Sequence, residues 1–414
     1  MKNQIRKRAK VIAWMCTLVY FASYIMRINF AVMMVKICAD MNADKTDLAV
    51  VVTGLTVAYG VGQVISGLIG DRVKPQNMLT AGLSLAAICN IAMFFCSSIP
   101  LMTVVWSVNG FAHSMLWPPI VRLMSAYLTD EEYGYSAVRV SWGSSFATIL
   151  LYLICPLLLE FMTWRVIILL CAACGLVIMI AWNIVHPRIL TEKINEGSKN
   201  KDKNATSEKI PLPKYVYAPI VLIMLGIILQ GVLRDGVTNW MPSYLLETFG
   251  LPEEKAIVAT VILAVFSVIS FALFDFIHRK LLRNEVFCAA AIFVMSVVCA
   301  GSLYVINLFS ASVVASMLLM ALIVACMHGI NLMLITVVPK RFIKSGKVST
   351  YSGLLNACTY IGAALSTYGF AAVAESKGWN VTILLWVFVS IFGAAVCLIA
   401  TPLWKKFRRE YSDN

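Results

Sequence analysis

Two arginines, Arg27 and Arg234, stand well inside long apolar stretches, VIAWMCTLVYFASYIMRINFAVMMVKI and VLIMLGIILQGVLRDGVTNWMPSYL, and half the length of the 414-residue chain separates them. A cation near a bilayer centre costs roughly 2.5 kcal/mol at the least, so such residues face a partner or a wet cavity. A guanidinium stays charged in a dry site, and its planar fork meets a phosphate or carboxylate at two points. Half-chain spacing predicts that two similar halves each contribute one cation to a shared site.

Other polar side chains in apolar surroundings extend the set. Asn29, Tyr59, Gln63, Trp117, Asn239 and Asn331 fall at cavity depth, with Tyr24 one turn before Arg27. His113 and His328 either donate to a substrate or pack helices as neutral imidazoles. Asp235 follows Arg234 but lies about 100° round a helix from it. It is read either as a proton-coupling carboxylate or as the partner of another buried cation such as Arg122 or Arg139. Asp71, Arg72 and Asp275 end apolar runs, where charge pairs and helix-end contacts hold one gate state.

The elements that must position these residues are membrane spans. The chain is 60% hydrophobic and 13% charged, with mean hydropathy +0.83, where soluble domains carry about 25% charged residues. About twelve runs are each long enough to cross about 30 Å of hydrocarbon as a helix. The expected fold is therefore all-α, with twelve transmembrane helices in two pseudo-symmetric six-helix bundles. Strand-like alternation is absent, which argues against a β-barrel. The net charge of +13 gathers at the amino terminus, in alternate loops and at the end of the chain. That distribution indicates the positive-inside rule rather than a nucleic-acid partner, and it places both termini in the cytoplasm.

One long polar segment, RILTEKINEGSKNKDKNATSEKIPLPK, divides the spans six and six. The expected organisation is a bundle over 1–186, a cytoplasmic linker over 187–214 and a second bundle over 215–414. A cytoplasmic linker leaves the NAT sequon at Asn204 unmodified. The basic start leads into an apolar run too long for a cleavable signal. The twelve cysteines are scattered through apolar spans, and even the Cys171/Cys174 C-x-x-C suits packing better than redox or metal chemistry. No metal, cofactor or catalytic constellation is expected, and no G-x-x-x-x-G-K-[ST] loop supports ATP-driven transport. The partners expected are a small anion, phosphate or a proton as coupling ion, and the lipid bilayer, with the chain working as a monomer.

Weak internal similarity supports duplication. GLIGDRVK ends the second span and FALFDFIHRK the eighth, His113 and His328 occupy the fourth and tenth, and the two arginines the first and seventh. Repeats with a site at the midplane are the architecture of secondary transporters.

Several segments then carry a resemblance over most of the chain. YIMRINFAVMM resembles the R-x-N-F-A segment of the organophosphate:phosphate antiporters within the major facilitator superfamily, the glycerol-phosphate and hexose-phosphate transporter group. GLTVAYGVGQVISGLIGDRVKPQNMLTAGLSLAA, WPPIVRLM, LRDGVTNWMPSYL and SGLLNACTYIGAALS followed by Gly378 and Trp379 are similar to that group as well. The resemblance implies that Arg27 and Arg234 clamp a phosphoryl group from opposite halves. Four positions depart from the family pattern: Ile28 and Gln63 replace basic residues, Ser145 stands near an expected histidine, and Asn239 replaces an acid. The resemblance thus implies exchange of an organophosphate for inorganic phosphate. Fewer positive charges and the added Asp235 favour, as the alternative, proton- or cation-coupled symport of a carboxylate. Some relatives of this group are membrane sensors of sugar phosphate, which is the third reading.

Overall fold

The computed structural model describes residues 5–190, 210–309 and 312–412. Most of the linker segment, including Asn204, lies outside the described residues. Fourteen α-helices and no strand are present among them: α1 (Lys7–Val32), α2 (Met34–Met41), α3 (Lys45–Gly70), α4 (Pro75–Phe95), α5 (Ile99–Ser114), α6 (Trp117–Tyr127), α7 (Asp130–Leu158), α8 (Trp164–Ile189), α9 (Tyr217–Phe249), α10 (Glu253–Ala259), α11 (Val261–Lys280), α12 (Glu285–Phe309), α13 (Val313–Asn331) and α14 (Val348–Phe407). Ten helices are long and apolar enough to cross a membrane. Helix α14 holds two spans, because Gly378 breaks it at φ +77°. The short α5 completes its crossing through α6. These make the twelve spans expected.

Contacts divide the chain into two units. Unit 1 comprises Met1–Ile210 with Phe342–Leu354, and unit 2 comprises Pro211–Arg341 with Leu355–Asn414.

In unit 1 the α5–α6 break follows from Pro118 and Pro119. A proline has no N–H to return to the carbonyl four residues earlier, so Pro118 leaves the Ser114 carbonyl unpaired within its helix. The Gln63 amide of α3 donates to that carbonyl at 3.4 Å. Gly110 makes the α3–α5 contact possible, since a Cβ there would sit 2.2 Å from the Leu55 carbonyl oxygen. Helix α7 opens with a capping box, Thr129 and Glu132 exchanging backbone bonds at 3.4 and 3.1 Å. Glu132 also accepts two bonds from the Arg6 guanidinium at 2.6 and 2.5 Å, which fastens the start of α1 to the start of α7.

Unit 2 repeats the device at Gly231 of α9, where a Cβ would come 2.3 Å from the Thr359 carbonyl oxygen of α14. Its charged anchor is Glu285, fully buried at the start of α12. Glu285 accepts from Arg341 at 2.9 Å, from Arg408 at 3.0 Å and from the Trp404 indole at 3.1 Å. Helix α13 runs into a π-helical segment, Leu332–Val337.

Candidate functional site

In unit 1, Tyr20, Tyr24 and Arg27 share one face of α1 through the i, i+4, i+7 spacing. The Arg27 guanidinium carbon lies 4.3 Å from the Tyr24 ring centroid and 4.8 Å from that of Tyr59 on α3. Both are within cation–π range, where a ring face attracts the charge without consuming its N–H donors. Tyr24 stacks edgewise on Tyr20 at 5.1 Å, and Tyr20 meets Trp117 of α6 at 5.0 Å. An aromatic wall thus runs from Arg27 to the first residue of α6. Tyr20 was absent from the sequence-derived set, although its spacing from Tyr24 and Arg27 was the signal that could have found it.

The remaining polar candidates of unit 1 sit in helix-to-helix hydrogen bonds. Asn29 is fully buried and donates to the Asn90 side chain of α4 at 2.9 Å. Asn90 and Asn109 each donate to the Met26 carbonyl, at 2.9 and 3.1 Å. His113 Nδ1 meets the Ser23 hydroxyl at 3.0 Å. Gln63 holds the freed Ser114 carbonyl. These bonds fix the rotation of α1 against α4 and α5, and so fix which way Arg27 faces.

In unit 2, Arg234 forms a two-point pair with its neighbour. Nε donates to Asp235 Oδ1 at 2.8 Å and Nη2 to Oδ2 at 2.9 Å, with the two side chains 18% and 23% exposed. The 100° step along the helix predicted no such pairing, but the long arginine stem folds back across it. His328 of α13 packs edgewise on Phe271 at 5.4 Å. Asn331 is half-buried on the last turn before the π-helical segment, and such segments recur at functional sites. Asn239 is exposed on α9.

The conformational candidates differ between the units. Both Asp71 oxygens accept from the first turn of α14: Ser349 N–H at 2.8 Å, Thr350 N–H at 3.0 Å and the Thr350 hydroxyl at 2.5 Å. Burial pushes the Asp71 carboxyl above its ordinary range in spite of these donors. Asp275 instead pairs with Arg279 one turn on, at 2.5 Å. Arg72 is exposed in the α3–α4 turn. Among the described residues no cluster of three His, Cys, Asp or Glu is placed to hold a metal ion.

The glycerol-3-phosphate transporter of Bacillus subtilis is 26% identical over 396 residues, covering 87% of this chain and 85% of that protein. The phosphoglycerate transporter protein of Salmonella typhimurium is 23% identical over 414 residues, covering 92% and 85%. The solved proton:xylose symporter XylE shares the fold at a TM-score of 0.75 and 12% identity, covering 94% of this chain and 95% of that one. The model of the Major Facilitator Superfamily matches residues 16–367, well over half of the sequence, and the chain belongs to this superfamily of membrane transporters.

Proposed function

We propose that this protein is a secondary active transporter that moves a small organophosphate by alternating access in exchange for inorganic phosphate. Arg27 carries the proposal. It is a guanidinium inside an apolar span, set against the faces of Tyr24 and Tyr59, and its planar fork suits two-point recognition of an oxyanion. Relatives that align over nearly the whole chain bear glycerol-3-phosphate and phosphoglycerate transporter names, which supports a phosphate ester as the cargo.

In this reading Arg27 and Arg234 both bind the anion, and the bodies that move are the two six-helix halves, 1–186 and 215–414. Alternate basic loops orient the chain with both termini in the cytoplasm, in a bacterial inner membrane or a plasma membrane. Asp71, with Asp275 and Arg72, holds one gate state through helix-end contacts, and the Asp71 bonds to Ser349 and Thr350 support that role. His328 and Asn331, beside the π-helical segment, serve as polar contacts to the cargo.

A second reading rests on Asp235. Its carboxylate already fills the Arg234 fork, so a substrate must displace it, and a proton arriving on Asp235 would ease that step. That arrangement favours proton-coupled movement of a carboxylate. A thermal-shift panel separates the two, because a ligand at 100 times its Kd stabilises the fold by about 2.7 kcal/mol. Stabilisation by glycerol phosphate and inorganic phosphate but not by carboxylates is expected. The reverse selectivity sinks the exchange reading, and binding without flux in liposomes makes the protein a sensor.

A further inference from the structure

A cavity of about 260 Å³ lies at the α3–α4 turn of unit 1, remote in sequence from the arginines above. Its wall holds three cations, Arg72, Lys74 and Arg122, together with Tyr127, and no acid. The three cations differ in freedom. Arg122 Nη1 donates to the Gly70 and Val73 carbonyls, which closes the end of α3 and holds that guanidinium still. Arg72 and Lys74 are exposed at the rim, and among the described residues neither has an ion pair. The Asp71 carboxylate lies outside that wall, with both oxygens accepting from Ser349 and Thr350, and of the three cations it is Arg122 that its charge acts on.

What leads into the cavity is apolar. Val61, Val64, Ile65, Leu68 and Ile69 of α3 are all exposed, at 58%, 36%, 41%, 55% and 44%. The spacing i, i+3, i+4, i+7, i+8 makes them one stripe along the helix. Arg72 and Val73 follow in the turn just beyond the end of α3. An amphiphile lying along the stripe would bring its polar end to Arg72 and its apolar chain to Leu68 and Ile69. A soluble anion would have no use for the stripe.

We propose that this cavity binds the phosphodiester headgroup of an anionic phospholipid, with an acyl chain along the α3 stripe. Arg122 presents a fixed guanidinium to the phosphate, and Arg72 and Lys74 close on it from the rim. The headgroup meets these cations where basic residues concentrate at the membrane surface, and each cation there is worth about fivefold in affinity for an anionic lipid. The site is separate from the cargo site, so its test does not depend on transport.

Native mass spectrometry of the delipidated full chain, titrated with phosphatidylglycerol or phosphatidylethanolamine, tests it. The expected result is at least about tenfold preference for phosphatidylglycerol, unaffected by equimolar inorganic phosphate. Arg72→Gln with Lys74→Gln should remove that preference, while Lys405→Gln with Lys406→Gln, at another basic cluster, should keep it. Equal retention of the two lipids by the unaltered protein overturns the proposal. Preference surviving in the Arg72/Lys74 variant also overturns it, and so does displacement of the lipid by inorganic phosphate, which would mark a soluble-anion site.

Discussion

Arg234 gives two points of its guanidinium fork to the carboxylate of Asp235, the next residue on α9, at 2.8 and 2.9 Å. The pair is a resident version of the complex that a substrate anion would form. Any anion that binds Arg234 in the same bidentate way has to take the place of this carboxylate.

That competition has a measurable consequence. Asp235→Asn keeps the volume and removes the charge, so phosphate should bind about tenfold more tightly, one charge-assisted contact having been released. Isothermal titration against the unaltered protein measures it. Arg234→Lys and Arg27→Lys should each abolish anion binding, because an ammonium cannot reproduce the fork. Retained affinity in either lysine variant would remove that arginine from the site.

Asp71 is expected to secure the first turn of α14. In Asp71→Asn one acceptor oxygen becomes an NH2 group facing a backbone donor, so the bonds to Ser349 and Thr350 cannot all persist. Losing one such bond is worth about 1 kcal/mol. Hydrogen exchange at the Ser349 and Thr350 amides should quicken by about fivefold. Unchanged protection would show that the turn is held by other contacts, such as the stacking of Phe342 on Tyr351 at 3.8 Å.

Removing the buried Glu285 side chain should be costly to unit 2. Glu285→Ala leaves Arg341 and Arg408, only 17% and 18% exposed, with no carboxylate between them. Breaking a buried pair from one side costs about 3–5 kcal/mol. A large fall in the thermal midpoint is expected, with Glu285→Gln intermediate because its amide oxygen still accepts.

Acid should weaken the far end of unit 1. Asp40 accepts from the Trp164 indole at 2.9 Å and from Arg165 at 2.6 Å, and these bonds hold its carboxyl below the ordinary value of 3.8. Because the folded value is the lower one, the contribution is complete above the ordinary aspartate value and is lost as pH falls through the folded one. Asp40 is 47% exposed and solvent screens the pair, so the effect is small. Asp40→Asn should lose less thermal stability than the unaltered protein between about pH 5 and pH 3.

Hydropathy made the spans legible because a bilayer requires each crossing to be long and apolar. The break before α6 has its cause in Pro118 and Pro119, which lack the N–H that would continue the helix. Single side chains were legible only where cost was the signal, as with Arg27 in YIMRINF. The Arg234–Asp235 pairing was not, since helical angle sets the Cβ direction but not where a long stem ends. Asn29 read as cavity-lining until Asn90, 61 positions away, supplied its partner. Glu285 carries no signal in the sequence, because only the folded chain brings Arg341, Trp404 and Arg408 onto it.

Reconstitution tests the central proposal most directly. Proteoliposomes loaded with glycerol 3-phosphate and placed in labelled inorganic phosphate should accumulate label without an imposed ion gradient, and Arg27→Lys should abolish the accumulation. Uptake that needs a pH gradient and ignores phosphate on either side would contradict organophosphate exchange.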